Sequence, residues 1–162
     1  MQLSQGVEWA AHACVLLSAL GKDQVLPLTS LSNFHGVPAP YLAKQMQSLS
    51  KAGIVRTTRG AAGGYALAKL PFDITLYDIV CAIEGQPKIF RCTEIRQRGP
   101  CARSEAECIR ACGIAAEFAY AETLWRDHLR TVRVDDLAKT TAAAATADDF
   151  AKASDWVTKN AR

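Results

Sequence analysis

The sequence predicts a mainly α-helical chain with one small β-hairpin, and three stretches predict it. Two short helical patterns meet at a tight turn around Gly36, the second of them polar on its outer side. Two short β-like runs around a glycine-rich turn follow at once. Beyond a cysteine-rich segment, residues 113–130 form a long amphipathic helical pattern.

Across residues 2–20, Val7, Ala10, Ala11, Cys14, Val15 and Leu17 recur at helical spacing, and Gly21 is a stop. Glu8 and His12 lie four apart, so their side chains share one face. Cys14 reads as a buried small hydrophobe. Residues 28–35 read as a short helix closed by Gly36. Pro38-Ala39-Pro40 then open a second helix over residues 39–52, because proline in a first turn gives up an N–H that has no helical partner. Leu42, Met46 and Leu49 make its apolar side, and Tyr41, Lys44, Gln45, Gln47 and Ser48 are expected to face out. Two short helices with this polarity and a tight turn between them form a helix-turn-helix pattern. Ile54-Val55 and Tyr65-Ala66-Leu67 flank Gly60, Gly63 and Gly64, and a hairpin in that place is a wing. Arg56 and Arg59 lie at its tip or flank.

Residues 74–83 are a further helix, with Thr75 near its start. In the long helix, Ile114, Phe118, Ala121 and Trp125 fall on one stripe, with Leu124 and Leu129 beside it. Such a stripe suits an intrachain core or a symmetric partner chain, and readers of this architecture commonly pair on two half-sites. The expected fold class is therefore mainly α with a small β-hairpin wing: a winged helix-turn-helix plus a long dimerisation helix. After Val134 the alanine-rich sequence loses definition. A helix around 147–159 and a disordered end are expected, with Trp156 hinting at docking. The expected segments are 1–85 (DNA reader), 86–112 (cysteine segment), 113–134 (dimerisation helix) and 135–162 (a tail with no assigned role).

At 162 residues with 49% apolar content, the chain can bury one core. The net charge of +3 says less than its distribution: from Gln24 to Phe72 there are five Lys or Arg and no Asp or Glu. A basic stretch without acids suits a polyanion, although such stretches also occur as plain solvated faces. No basic leader opens the chain, and no apolar run nears the roughly 20 residues of a membrane span. A cytoplasmic protein with no membrane partner is expected, and there clustered cysteines favour metal binding or redox sensing over disulfides. Four of the six cysteines, Cys92, Cys101, Cys108 and Cys112, fall within one segment. No nucleophile–base set, phosphate loop or cofactor fingerprint is present, so no enzyme is expected.

The run YLAKQMQSLSKAGIVRTTRGAAGGYALAK, residues 41–69, resembles the signature of the iron–sulfur winged-helix regulators typified by IscR, NsrR and RirA. Tyr41-Leu42 opens the recognition helix, Ala52-Gly53 ends it, and Arg59-Gly60 with Gly63-Gly64-Tyr65 makes the wing. The resemblance covers roughly residues 1–130. It implies a homodimer with crossed long helices, double-stranded operator DNA as partner, and an iron–sulfur cluster near the cysteines. The usual family pattern has three cysteines at closer intervals. Glu8-Trp9 with His12, CTEIRQRGP after Cys92, and the Cys108/Cys112 pair are similar instead to the redox-sensing RsrR branch. That resemblance implies a [2Fe–2S] cluster bridging two chains, with Glu8 and His12 from one and Cys108 and Cys112 from the other.

The spacing is compatible with this. If residues 108–112 are helical, Cys108 and Cys112 form a clamp like that of Glu8 and His12, and thiolate and imidazole are both established cluster ligands. The alternatives stay open: Glu8 and His12 as a surface pair, Cys92 or Cys101 as ligands in their place, or zinc, which the lack of a C-x-x-C pair disfavours. Trp9, between the two helix ligands, is either a redox relay or plain packing. For DNA, Lys44, Lys51, Arg56 and Arg59 are expected on phosphates, and Tyr41, Gln45, Gln47 and Ser48 near base edges. The expected function is a repressor governed by its cluster. A cluster-free regulator controlled by a partner protein or a thiol switch is the alternative.

Overall fold

The computed structural model describes residues 2–86 and 88–162; Met1, and Pro87 in the predicted cysteine segment, lie outside it. Helix α1 (Gln5–Leu17) is the central element. Its buried face, Val7, Ala10, Ala13, Cys14, Leu16 and Leu17, meets helices on several sides. Its start is held by Glu84, whose carboxylate accepts from the Ser4 amide (3.1 Å) and hydroxyl (2.5 Å). A carboxylate at a helix N-terminus satisfies orphan N–H groups and opposes the helix dipole.

Helices α2 (Leu28–His35) and α3 (Ala39–Lys51) form the helix-turn-helix, and Gly36 caps α2. Leu42, Met46 and Leu49 of α3 are fully buried. Strands β1 (Val55–Thr58) and β2 (Gly64–Leu67) pair antiparallel, with Val55 opposite Leu67 and Thr58 opposite Gly64. Leu26 adds a further bridge to Tyr65. Gly64 permits it: a Cβ there would lie 2.6 Å from the Leu26 carbonyl. Helix α4 (Leu76–Glu84) begins at Thr75, whose hydroxyl accepts from the Asp78 amide while Asp78 accepts in return.

Helix α5 (Gly113–Thr131) is about 28 Å long at 1.5 Å per residue. Its predicted stripe divides. Trp125 and Leu129 pack with Val7, Leu76, Tyr77 and Val80 inside the chain. Ile114, Phe118, Tyr120 and Leu124 stay exposed, with Phe118 stacked on Phe90 at 4.5 Å. The intrachain-core reading therefore holds for the second half of the helix, and the first half stays open on its apolar side.

The expected disordered end is corrected. Helix α6 (Val134–Ala144), which the sequence left undefined, and α7 (Ala147–Asn160) fold back onto α1 and α2. Val134 and Val157 join the core around α1, and Trp156 packs on Phe34 at 4.8 Å. Backbone pairing closes the structure: Val25 and Arg162 exchange two N–H···O bonds of 3.0 Å. Few large apolar residues marked this region, because much of α6 is alanine and threonine.

Candidate functional site

The polar face of α3 carries Tyr41, Lys44, Gln47 and Lys51 in the open and Ser48 at its half-buried edge. Gln45 departs from the expected outward face. It is half-buried, and its carboxamide lies over Gly6 of α1, where a Cβ would sit 2.8 Å from it. Tyr41 and Gln45 lie four apart on one side of α3, the side that borders α1. Tyr41 is itself touched from α1: Trp9 meets its ring edge-on at 6.4 Å.

The two wing arginines part company. Arg56 turns back toward the loop after α1 and donates to the Lys22 carbonyl at 3.1 Å. Arg59 lines a separate cleft between the hairpin and the start of α2, and it makes no hydrogen bond or ion pair among the described residues.

Glu8 and His12 are both exposed on one face of α1, as their spacing predicts. Neither makes a hydrogen bond or ion pair among the described residues. Glu8 borders a groove of about 290 Å³ between α1, α4 and α5. His12 borders a larger, mainly apolar cavity of about 630 Å³ walled by α1, α2, α6 and α7. The His35 ring lies 5.8 Å from that of His12. Burial, and then the neighbouring His12, hold the His35 pKa below its ordinary value.

The cysteine segment is ordered around Arg96, a residue the sequence did not single out. Its guanidinium donates to both Glu94 oxygens (2.5 and 2.8 Å) and to the Arg110 carbonyl (2.9 Å). Arg103 N–H donates to the Arg96 carbonyl at 2.8 Å. The Glu94 carboxylate, first, and then the nearby Cys108 and Cys112 thiols favour the charged guanidinium. Glu94 has a left-handed backbone, φ 50°, a strained state for a non-glycine residue. No local pattern marks Arg96, because its partners are set by a folded loop.

Cys108 and Cys112 do not form a helical clamp, contrary to the expectation. Cys108 ends a short 3-10 turn, Glu105–Cys108, and Cys112 caps the start of α5, its sulfur accepting from the Ala115 amide at 3.3 Å. Gly113 opens α5 after this cap, so no continuous helix spans the two thiols. Both are half-buried, whereas Cys92 and Cys101 are exposed. Among the described residues, no three His, Cys, Asp or Glu side chains converge on one point.

Residues 3–140 match the profile of the family described as Rrf2: Iron-dependent Transcriptional regulator. The chain belongs to the Rrf2 family. An Aquifex aeolicus relative named as an HTH-type transcriptional regulator is 40% identical over 80 residues, which span 49% of this chain and 55% of that protein. The chain thus matches little more than half of that relative's length. The solved structure of T. potens IscR aligns with a TM-score of 0.68 at 23% identity, covering 94% of this chain and 96% of that one. CymR, the global cysteine regulator of B. subtilis, aligns at 0.66 and 21% identity, covering 86% and 98%. These two structures support the winged helical fold. The Rrf2 family comprises transcriptional regulators, not enzymes. No described helix is long and apolar enough to cross a membrane.

Proposed function

We propose that the protein is a homodimeric repressor that binds double-stranded operator DNA. Its operator affinity changes with the redox state or presence of a [2Fe–2S] cluster shared between two copies. The Trp9–Tyr41 contact carries this reading. It joins the residue between Glu8 and His12 to the outward face of the recognition helix. A small movement at that face of α1 reaches the DNA reader through one pair of rings. Tenfold regulation needs only about 1.4 kcal/mol of differential affinity.

Within this reading, residues 1–85 read DNA, 86–112 carry the cysteines and 113–134 join the copies. Lys44, Lys51, Arg56 and Arg59 meet phosphates, and Tyr41, Gln47 and Ser48 approach base edges, where glutamine can pair with adenine. Gln45 leaves the set because its carboxamide packs over Gly6 of α1, whereas Arg56 stays exposed and keeps further N–H donors beside its one bond to the Lys22 carbonyl.

Glu8 and His12 of one copy and Cys108 and Cys112 of the other would hold the cluster, which supplies a one-electron change when bound. The donor types suit it. The two α1 side chains are exposed and without hydrogen bonds. Cys112 stands at the N-terminus of α5, its sulfur accepting from the Ala115 amide, and both sulfurs lie within electrostatic reach of the Arg96 guanidinium. Arg96 orders the loop that presents them.

Anaerobic iron and sulfide analysis with absorption spectra tests the reading. Wild type is expected to be coloured, with iron and sulfide in equal amounts. Cys108→Ala and Cys112→Ala are expected to lose both, and Glu8→Ala and His12→Ala to shift the spectrum or lose iron. Colourless, iron-free wild type would sink the cluster and favour control by a thiol switch or partner protein. Full loading in both cysteine variants would move the ligands to Cys92 and Cys101.

A further inference from the structure

We infer that Arg162, far from the reader in sequence, is a phosphate-contacting residue of the wing. The inference rests on the DNA-binding reading above. Its basis is a cleft of about 530 Å³ between the hairpin and the start of α2, lined by Arg59, Arg162, Thr29 and Thr57 among others.

The backbone brings Arg162 there. Leu26 and Tyr65 exchange N–H···O bonds of 2.9 and 2.8 Å, and Val25 and Arg162 exchange two of 3.0 Å. Adjacent residues of an extended segment bond toward opposite edges. Residues 25–26 therefore bridge the wing on one side and Arg162, two residues beyond α7, on the other. From that position the Arg162 guanidinium donates through one nitrogen to the carbonyl of Ala61, in the turn of the wing. A guanidinium carries five N–H donors, so donors remain to face the cleft.

The electrostatics favour an anion. No Asp or Glu side chain lines the cleft, and residues 24–72 contain none. Arg59 has no competing hydrogen bond or ion pair among the described residues. Two arginines, one anchored and one open, in a cleft that threonines also line, form a surface that recognises a backbone phosphate by charge and hydrogen bonds without reading sequence. Arg56, the other wing arginine, is turned to a different cleft and bonds the Lys22 carbonyl.

The test uses the full chain and a fluorescent mixed-sequence DNA duplex, with affinity measured by anisotropy across a KCl series. Each phosphate contact adds roughly 0.9 to the slope of log K against log salt. Arg162→Gln is expected to lower the slope by about that amount per bound chain, and to weaken binding at low salt by on the order of fivefold. Arg162→Lys is expected to keep the slope. The duplex is also expected to protect Arg162 of the unaltered protein from phenylglyoxal, read by mass spectrometry, a measurement that does not depend on any variant folding. An unchanged slope in Arg162→Gln, beside a reduced one in Arg59→Gln, would overturn the inference and leave the DNA reading intact. Weaker binding with an unchanged slope would also overturn it, reducing Arg162 to a latch on the wing. Failure of wild type to bind any duplex would remove the DNA reading itself.

Discussion

Cys14 and the cysteines at 92 and 101 have the same side chain in opposite surroundings. Cys14 is fully buried in the core of α1, and burial pushes its thiol up to about 12. Cys92 and Cys101 stand in solvent. Alkylation needs thiolate and access together. Iodoacetamide at pH 8 under anaerobic conditions is therefore expected to modify Cys92 and Cys101 quickly and leave Cys14 untouched, as read by peptide mass spectrometry. Rapid labelling of Cys14 in folded protein would contradict the packing of α1. The burial of Cys14 was legible from its helical spacing. The inward turn of Gln45 was not, because it depends on Gly6 letting α1 approach α3.

At the scale of elements, α5 poses the clearest question. Its first half exposes Ile114, Phe118, Tyr120 and Leu124, while its second half is sealed by Trp125 and Leu129. An exposed apolar stripe of this kind marks an interaction surface. Ile114→Glu with Leu124→Glu is expected to convert the proposed dimer to a monomer in analytical ultracentrifugation, with helical circular dichroism unchanged because neither side chain is buried in its own chain. A double variant that stays dimeric would place the interface elsewhere. The helical period revealed the stripe but not its division, since the period says only that residues share a face. Helix α6 escaped for a related reason: alanine and threonine give little apolar contrast between its faces. The supposed clamp at Cys108 and Cys112 failed because Cys112 serves as the cap of α5, and a capping residue lies outside the helical run.

Across the whole molecule, α6 and α7 turn an apparent tail into part of one core. Trp156 packs on Phe34 beside Val157, which is buried with the residues of α1. Truncating a large, partly buried aromatic leaves a cavity, so Trp156→Ala is expected to cost about 2–3 kcal/mol. Urea unfolding followed by circular dichroism would report this as one cooperative transition at a lower midpoint. An unchanged midpoint would mean that α7 does not contribute to the fold. The sequence by itself determined the reader: glycine and proline punctuation, helical spacing and the Arg-Gly…Gly-Gly-Tyr turn act locally, over a few residues. It also marked Glu8 and His12 as neighbours, because four residues on a helix bring two side chains to one face. Only the tertiary structure decided that Trp9 meets Tyr41, that Arg96 orders the cysteine loop and that Arg162 returns to the wing. Those contacts join residues far apart in the chain, and no local period encodes which distant surfaces meet.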